Sequence, residues 1–534
     1  MTVSPRLARA VVTLIAAAAV LVAALASPGG DASPRTTPEL RVDYVFSTDA
    51  DKLLAPLITR FNRENHRLNG RRVRIVGTAL TSGEAEAAIS TRKLRPALWT
   101  PASQLWGRLL DNDAGASWVP AGSTSLVSSP QVIAIWKPLA RALGWPNRAI
   151  GWKDILTLAT STRGWAAYGH PEYGPFKLGH TNPDISTSGL SAVASEYYAV
   201  TGKTRQLSLA DIRRPEVRAA VRSIEHSIVH YGKTAAAFTD QMDLNGPAYA
   251  HAVYVQETQL LAFNKHRRQA TQLEGIEPAE GTFVADYPLI ALQAPWVGRN
   301  TRAAALLFSR WLVPRITPAI AKKNDFRLRP PAGITRLELP APAVLAAIRR
   351  AWRQDRKPAN IVLVVDTSSS MSGAGRLDAA KAGLLSFVRG LSSHDRVALV
   401  TSGSRVAVRV PLGHNRAAVV DAVGSLFANG TLPVYPAISR ALAAVRALND
   451  AGSINAVVVL SDGAGTTTGY SPLIHAIRSR PLTEGTSTRV FTVAYGEKAD
   501  GAALKNIAAL SGGAFFSGGP SDVQGVYRSI SSYF

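Results

Sequence analysis

Ten residues constrain this chain more than any others. Ile361-Val362-Leu363-Val364-Val365 is apolar at every position and stops abruptly at Asp366-Thr367-Ser368-Ser369-Ser370. A short, Val-rich run with no polar alternation predicts a strand buried on both faces, as in a parallel sheet. The polar half then sits at that strand's carboxyl end, where open α/β sheets place their ligand sites. The spacing Asp-x-Ser-x-Ser offers three oxygen donors on one loop. Such hard oxygens suit Mg²⁺, Mn²⁺ or Ca²⁺ and do not suit a soft metal.

The sequence around this run alternates strand and helix. Residues 376–391 are helical through Leu377, Ala380, Leu384, Phe387, Val388 and Leu391. Strands follow at 396–400 and 406–410, the second alternating like an edge strand, then helices at 417–427 and 437–448. A second uniformly apolar strand, 456–460, ends in Ser461-Asp462-Gly463. A strand at 490–494 and helices at 504–510 and 523–530 complete a doubly wound α/β domain over 360–534. This region resembles a von Willebrand factor type A domain, and the resemblance implies a metal-ion-dependent adhesion site. Asp366, Ser368 and Ser370 match its Asp-x-Ser-x-Ser loop. Thr431, in Asn429-Gly430-Thr431-Leu432, matches its second-loop threonine, and Asp462 matches its third-loop aspartate. The family's ion, Mg²⁺ first and Mn²⁺ or Ca²⁺ as alternatives, would meet neutral hydroxyls and stay electrophilic enough to take a carboxylate from a partner.

Upstream, 1–26 has the form of an export signal or N-terminal anchor. Arg6 and Arg9 precede an apolar stretch that ends in Ala24-Leu25-Ala26. Residues 27–39 form a Pro/Gly/Ser/Thr-rich linker, expected to lack structure. From 40 to 331 strand–helix alternation resumes: strands at 41–46, 73–76 and 97–99, helices at 83–89 and 303–312. Trp99-Thr100-Pro101-Ala102-Ser103, Ser128-Ser129-Pro130-Gln131-Val132-Ile133-Ala134, the stretch Leu178-Gly179-His180-Thr181-Asn182-Pro183 and Tyr287-Pro288-Leu289-Ile290 occur in an order that resembles bacterial extracellular solute-binding proteins. The resemblance implies two α/β lobes closing on a ligand about a hinge. Ser186, Thr187 and Ser188 precede a helix expected to begin near Leu190, where hydroxyls and free N–H groups favour an anion. An ordinary N-cap is the competing explanation. Ser47, Thr48, Thr81, Ser82, Thr100, Ser128 and Ser129 are further ligand candidates by analogy with that family. Residues 332–359 are expected to be an inter-domain linker, broken by Pro330-Pro331, Pro340 and Pro342 and carrying one short helix at 344–352.

Several functions are set aside. The chain has no Cys, which excludes disulfides, thiolate zinc sites and a Cys nucleophile. His226 and His230 stand i and i+4 on an expected helix, but Ser227 occupies the place of a metalloprotease's general base, so a structural pair is expected. The formal charge of +23 comes with no dense Lys/Arg run, so nucleic acid is not an expected partner. No enzymatic constellation emerges. The sequence therefore reads as an exported, metal-dependent binding protein for a partner with an exposed Asp or Glu. The alternative is a receptor for a small polar or anionic solute bound in the N-terminal cleft. Membrane contact is expected only through an uncleaved N-terminal segment.

Overall fold

The strands at 41–46, at 131–136 and at 361–365 each lie inside one of three six-stranded sheets. The computed structural model describes residues 39–431, 433–462, 468–479, 487–496 and 499–534. The segment 1–26, expected to be an export signal or anchor, and the expected linker up to 38 lie outside the described residues.

The first sheet grows on Glu39–Ser47, with Arg71–Leu80 and Leu98–Thr100 parallel on either side. Pro288–Ala291 and Thr124–Ser125 extend it antiparallel. The second grows on Ser129–Trp136, buried at all eight positions, with Ala252–Gln256 and Leu273–Ile276 antiparallel beside it. Leu178–Thr181 and Ile228–Gly232 lie beyond. The chain passes between these sheets after Thr124–Ser125 and again between Val284–Ala285 and Pro288–Ala291. A Ser128–Arg327 bridge lies beside the first passage. Two lobes joined by extended crossings form the N-terminal body.

The third sheet has the order Val406–Gly413, Arg396–Ser402, Ala359–Asp366, Ile454–Ser461, Thr488–Tyr495, Phe515–Gly518. It is parallel except at the Val406–Gly413 edge. The strand Ala359–Asp366 explains the layering. Ile361, Leu363 and Val365 pack with Leu384, Phe387 and Tyr527, whereas Val362 and Val364 pack with Ile438, Leu442 and Leu473. Helices thus cover both faces, as a strand without polar alternation requires. The fold is the Rossmann-like arrangement expected from the sequence.

Four local expectations are corrected. The helix begun at Arg416 stops at Gly424, a poor helix former, and leaves Phe427 64% exposed. Tyr470–Arg478 is the helix between the strands Ile454–Ser461 and Thr488–Tyr495, whereas Phe515–Gly518 is an unexpected edge strand, too short to show a period. Pro342 starts a helix rather than breaking one: Pro342–Asp355 begins on it, because the first turn needs no N–H from that position. His226 ends the helix Pro215–His226, and His230 lies in the strand Ile228–Gly232, so the two do not share a helix face.

The helix Pro342–Asp355 fastens the molecule together. Leu345 packs in the core of the first lobe. Val344, Ile348, Ala351 and Trp352 join a core that runs from the second lobe into one face of the third sheet's domain. Asp355 accepts from Arg218 and Arg222 of the second lobe, and Arg356 donates to Asp395 at 2.6 Å. The second lobe meets the third domain at the amino ends of its strands. Arg489 Nη1, one residue into Thr488–Tyr495, donates to Val229 O at 3.1 Å. Near the carboxyl terminus, Lys233 Nζ donates to Ser529 Oγ at 2.9 Å and Tyr231 N to Tyr533 O at 3.4 Å.

Candidate functional site

At the opposite, carboxyl ends of the third sheet, three loops meet. Asp366 is the last residue of its strand and only 3% exposed. Its Oδ1 accepts the Ser368 backbone N–H at 2.9 Å, and its Oδ2 accepts the Ser461 hydroxyl at 2.7 Å. Ser370 Oγ donates to Asp462 Oδ1 at 2.6 Å. Its proton being committed there, Ser368 Oγ is the donor in the 2.9 Å contact between the two serines. Ser368, Ser370 and Asp462 thus form one chain of oxygens, and the Asp366 carboxylate adjoins it through the Ser368 backbone. Arg376 reaches across it: Nη1 lies 3.4 Å from Asp462 Oδ2 and 3.0 Å from Ser370 O.

The second loop is attached through main-chain groups. Ser369 N and Ser369 Oγ both donate to Gly430 O, at 2.9 and 3.1 Å, and Asn429 N donates to Thr367 O at 2.6 Å. Gly430 has φ +76°, and a Cβ there would come within 2.1 Å of Ser404 N. Only glycine fits, and the next residue, Thr431, is thereby held exposed beside the Ser368–Ser370 turn. Burial raises the Asp366 carboxyl above its usual range; the Ser368 and Ser461 hydrogen bonds lower it, and the Asp462 charge raises it again. Two buried carboxylates and two serine hydroxyls with a half-exposed guanidinium as the nearby cation are chemically suited to a hard divalent ion.

The cleft candidates are placed differently. Their hydroxyls are largely engaged by protein. Thr100 Oγ1 pairs with Tyr44 OH at 2.8 Å. Ser82 Oγ accepts Ala102 N, Ser129 Oγ accepts Thr258 N, and Thr81 Oγ1 donates to Glu84. Ser47 Oγ donates to Asp49 and Ser128 Oγ to Arg327 O. The second lobe's helix begins at Thr187, three residues earlier than expected, with Ser186 as N-cap. Ser186 Oγ accepts from Thr181, while Thr187 Oγ1 accepts Trp106 Nε1 of the first lobe at 2.8 Å. Ser188 is buried and Thr48 half-buried. Gly83 N donates to Ile185 O at 2.9 Å, and Gln256 Nε2 to Asp49 Oδ2 at 3.0 Å. The lobes therefore touch directly across the cleft.

One cluster escaped sequence reasoning, because its members come from separate elements with no spacing rule. His180, Glu196 and Glu225 are fully buried, each with a ligand atom within 4.8 Å of the others. His180 Nδ1–H donates to Thr181 O at 2.7 Å and Nε2 meets Glu225 Oε1 at 2.9 Å. Glu225 Oε2 accepts Tyr231 OH at 2.7 Å and Trp352 Nε1 at 3.0 Å. Burial and the Glu225 charge push the Glu196 carboxyl well above its usual range. These residue types can hold a metal; the hydrogen bonds of His180 and Glu225 make a polar knot that seats Trp352, whereas both Glu196 carboxyl oxygens are buried without a hydrogen-bond partner.

Comparison with known proteins agrees with the third domain. Residues 361–464 match the family described as von Willebrand factor type A domain. The chain therefore carries an A domain there. Two uncharacterized proteins of Mycobacterium tuberculosis, MT1884 of strain CDC 1551/Oshkosh and Rv1836c of a second strain, are each 24% identical over 485 residues, covering 83% of this chain and 69% of theirs. Among solved structures, a von Willebrand factor type A protein from Catenulispora acidiphila is 21% identical, with a TM-score of 0.29. The match covers 33% of this chain and 42% of that one, less than half its length. The periplasmic binding protein AfuA from Actinobacillus pleuropneumoniae is 12% identical over 60% of this chain and 99% of its own, with a TM-score of 0.44. Among the described residues no helix is long and apolar enough to cross a membrane.

Proposed function

We propose that this chain is an exported, metal-dependent binding protein whose A domain captures an acidic group of a partner protein. Asp366, Ser368, Ser370, Thr431 and Asp462 would hold the ion, Mg²⁺ first and Mn²⁺ or Ca²⁺ as alternatives. When bound, it supplies an electrophilic position for a partner carboxylate. One observation carries this reading. The oxygen chain lies at the carboxyl ends of the A-domain strands, whereas the second lobe docks at their amino ends. The candidate centre is thus turned away from the rest of the molecule. Its surroundings fit an acidic partner: Arg405 and Arg409 are exposed and line a groove with Thr367, Asn429 and Phe427. The N-terminal lobes, fastened to each other by Trp106–Thr187 and Gly83–Ile185, serve in this reading as the body that presents the A domain. No catalytic step is assigned.

Pull-down from a cell-envelope extract, with Mg²⁺ or with EDTA, tests the proposal. Capture is expected with Mg²⁺ and lost with EDTA or in Asp366→Ala. Capture that survives chelation but is lost when the N-terminal lobes are deleted would replace this reading with the solute-receptor one.

A further inference from the structure

Three ionisable side chains converge inside the second lobe. His180 comes from the strand Leu178–Thr181, Glu196 from the helix Thr187–Thr201 and Glu225 from the helix Pro215–His226. All three are 0% exposed, and each offers a ligand atom within 4.8 Å of the other two.

Two features of the cluster are left unsatisfied by protein. The first is Glu196, whose carboxyl oxygens both lack a hydrogen-bond partner. Buried polar groups are ordinarily hydrogen-bonded, and a carboxylate buried without a partner is costly. Among the described residues no Lys or Arg forms an ion pair with Glu196 or Glu225. The second feature is the contact between His180 and Glu225. His180 Nδ1 lies 2.7 Å from Thr181 O, and a carbonyl can only accept, so Nδ1 carries a hydrogen. In a neutral ring Nε2 then presents a lone pair, yet it lies 2.9 Å from Glu225 Oε1, another acceptor. A proton or a cation has to lie between them.

The surroundings are those of metal-binding side chains. A ligating His ordinarily donates its other ring N–H to a carbonyl or carboxylate, as Nδ1 does to Thr181 O. A ligating carboxylate is ordinarily held by outer hydrogen bonds. Here Glu225 Oε2 accepts Tyr231 OH at 2.7 Å and Trp352 Nε1 at 3.0 Å, which leaves Oε1 turned to His180. The 2.9 Å between Nε2 and Oε1 is close to the edge of about 3 Å between neighbouring ligands of an ion bound at about 2.1 Å. A divalent charge would also cancel both carboxylates, so that two buried anions become a neutral centre.

We propose that His180 Nε2, Glu225 Oε1 and the Glu196 carboxylate bind one divalent transition ion, Zn²⁺ first. Mn²⁺ and Fe²⁺ share this mixed imidazole and carboxylate chemistry. The site is closed to solvent, so its role is structural: it ties a strand to two helices of the second lobe, under the Trp352 that anchors the helix Pro342–Asp355. This inference does not rest on the A-domain metal loops. Its rival is a metal-free cluster in which Glu196 and Glu225 share a proton.

The test uses the full chain without an affinity tag, carrying Asp366→Ala to disable the A-domain loops. It is produced with Zn²⁺, Mn²⁺ or Fe²⁺ in the medium, or with none, and dialysed into metal-free buffer. Mass spectrometry of the metal content should find about one equivalent of Zn²⁺, with a higher melting temperature than in the chain produced without metal. Retention of Mn²⁺ or Fe²⁺ instead would identify that ion. Glu196→Gln, added to this chain, should lower the retained metal by about tenfold or more and abolish the difference in melting temperature. The same variant keeps the side chain's shape and offers an N–H to Glu225, so a proton-sharing cluster would tolerate it. A chain grown with Co²⁺ should show visible absorption that Glu196→Gln removes. Retained metal below about a tenth of an equivalent from every medium overturns the proposal in favour of the shared proton, and so does metal content that Glu196→Gln leaves unchanged.

Discussion

Asp462 has two claimants. Its Oδ1 holds the Ser370 hydroxyl, and its Oδ2 faces the Arg376 guanidinium. A divalent ion among these oxygens would share the carboxylate with a like charge that is 30% exposed and hence partly screened. Arg376→Gln should therefore tighten Mg²⁺ binding, by about two- to tenfold in calorimetric titration, a repulsion of roughly 1 kcal/mol. Asp366→Ala and Asp462→Ala act in the opposite direction. Outer partners of metal ligands alone are worth about 10–100-fold in affinity, so losing a carboxylate of the site should cost about 100-fold or more. Circular dichroism should show the fold retained. Unchanged titration in both aspartate variants would remove the metal assignment. The Asp-x-Ser-x-Ser loop was legible at this scale because its donors are neighbours in the chain. Arg376 was not, since an arginine at a helix start looks like any other in sequence.

At the scale of elements, two connections decide geometry. Gly430 holds the second loop against Gly403 and Ser404. Gly430→Ala would need both a left-handed backbone and a move of Ser404, at a cost of about 2 kcal/mol or more. Urea unfolding should report that loss, and Mg²⁺ titration a weakened site as Thr431 shifts. The helix Pro342–Asp355 seats the buried Trp352 on the knot of Glu225, His180 and Tyr231. Trp352→Ala would open a cavity and strip a donor from a buried carboxylate, an expected loss of about 3–5 kcal/mol in urea unfolding. The sequence showed a helix there, but its prolines read as breaks in a linker. A proline at the first helical position and a proline between domains look alike until burial is known.

For the whole molecule, acid should act first on the second lobe. Burial, and then the Lys177 charge, bring the His251 imidazole down to about 3. Its Nδ1 accepts from Trp165 Nε1 and Lys177 N, so the fold requires the neutral ring. His230, buried and stacked on Phe238, is likewise held well below its ordinary value. In the unfolded chain these rings take up protons below about 6.5, whereas the folded chain does not. Their stabilisation is complete above that pH and declines as pH falls from about 6.5 toward 3. Melting temperature should drop steadily from pH 7 to pH 4. His251→Asn, which keeps an acceptor without titrating, should show a shallower slope.

By itself the sequence determined the buried central strands and the Asp-x-Ser-x-Ser loop that ends one of them. Uniform apolar runs such as Ile361–Val365 have one stable place, between two helical layers, and an abrupt change to Asp366 and hydroxyls marks where such a strand ends. These are local signals, carried by burial of consecutive side chains. The match of Thr431 and Asp462 to that loop was visible only by resemblance, because their loops are far apart in the chain. Tertiary structure alone decided which end of the A-domain sheet docks and which stays open. It also decided that Trp106 and Thr187 meet across the cleft, and that His180, Glu196 and Glu225 converge inside the second lobe. Those juxtapositions arise from packing between separate elements, and packing leaves no period or spacing in the chain from which they can be read.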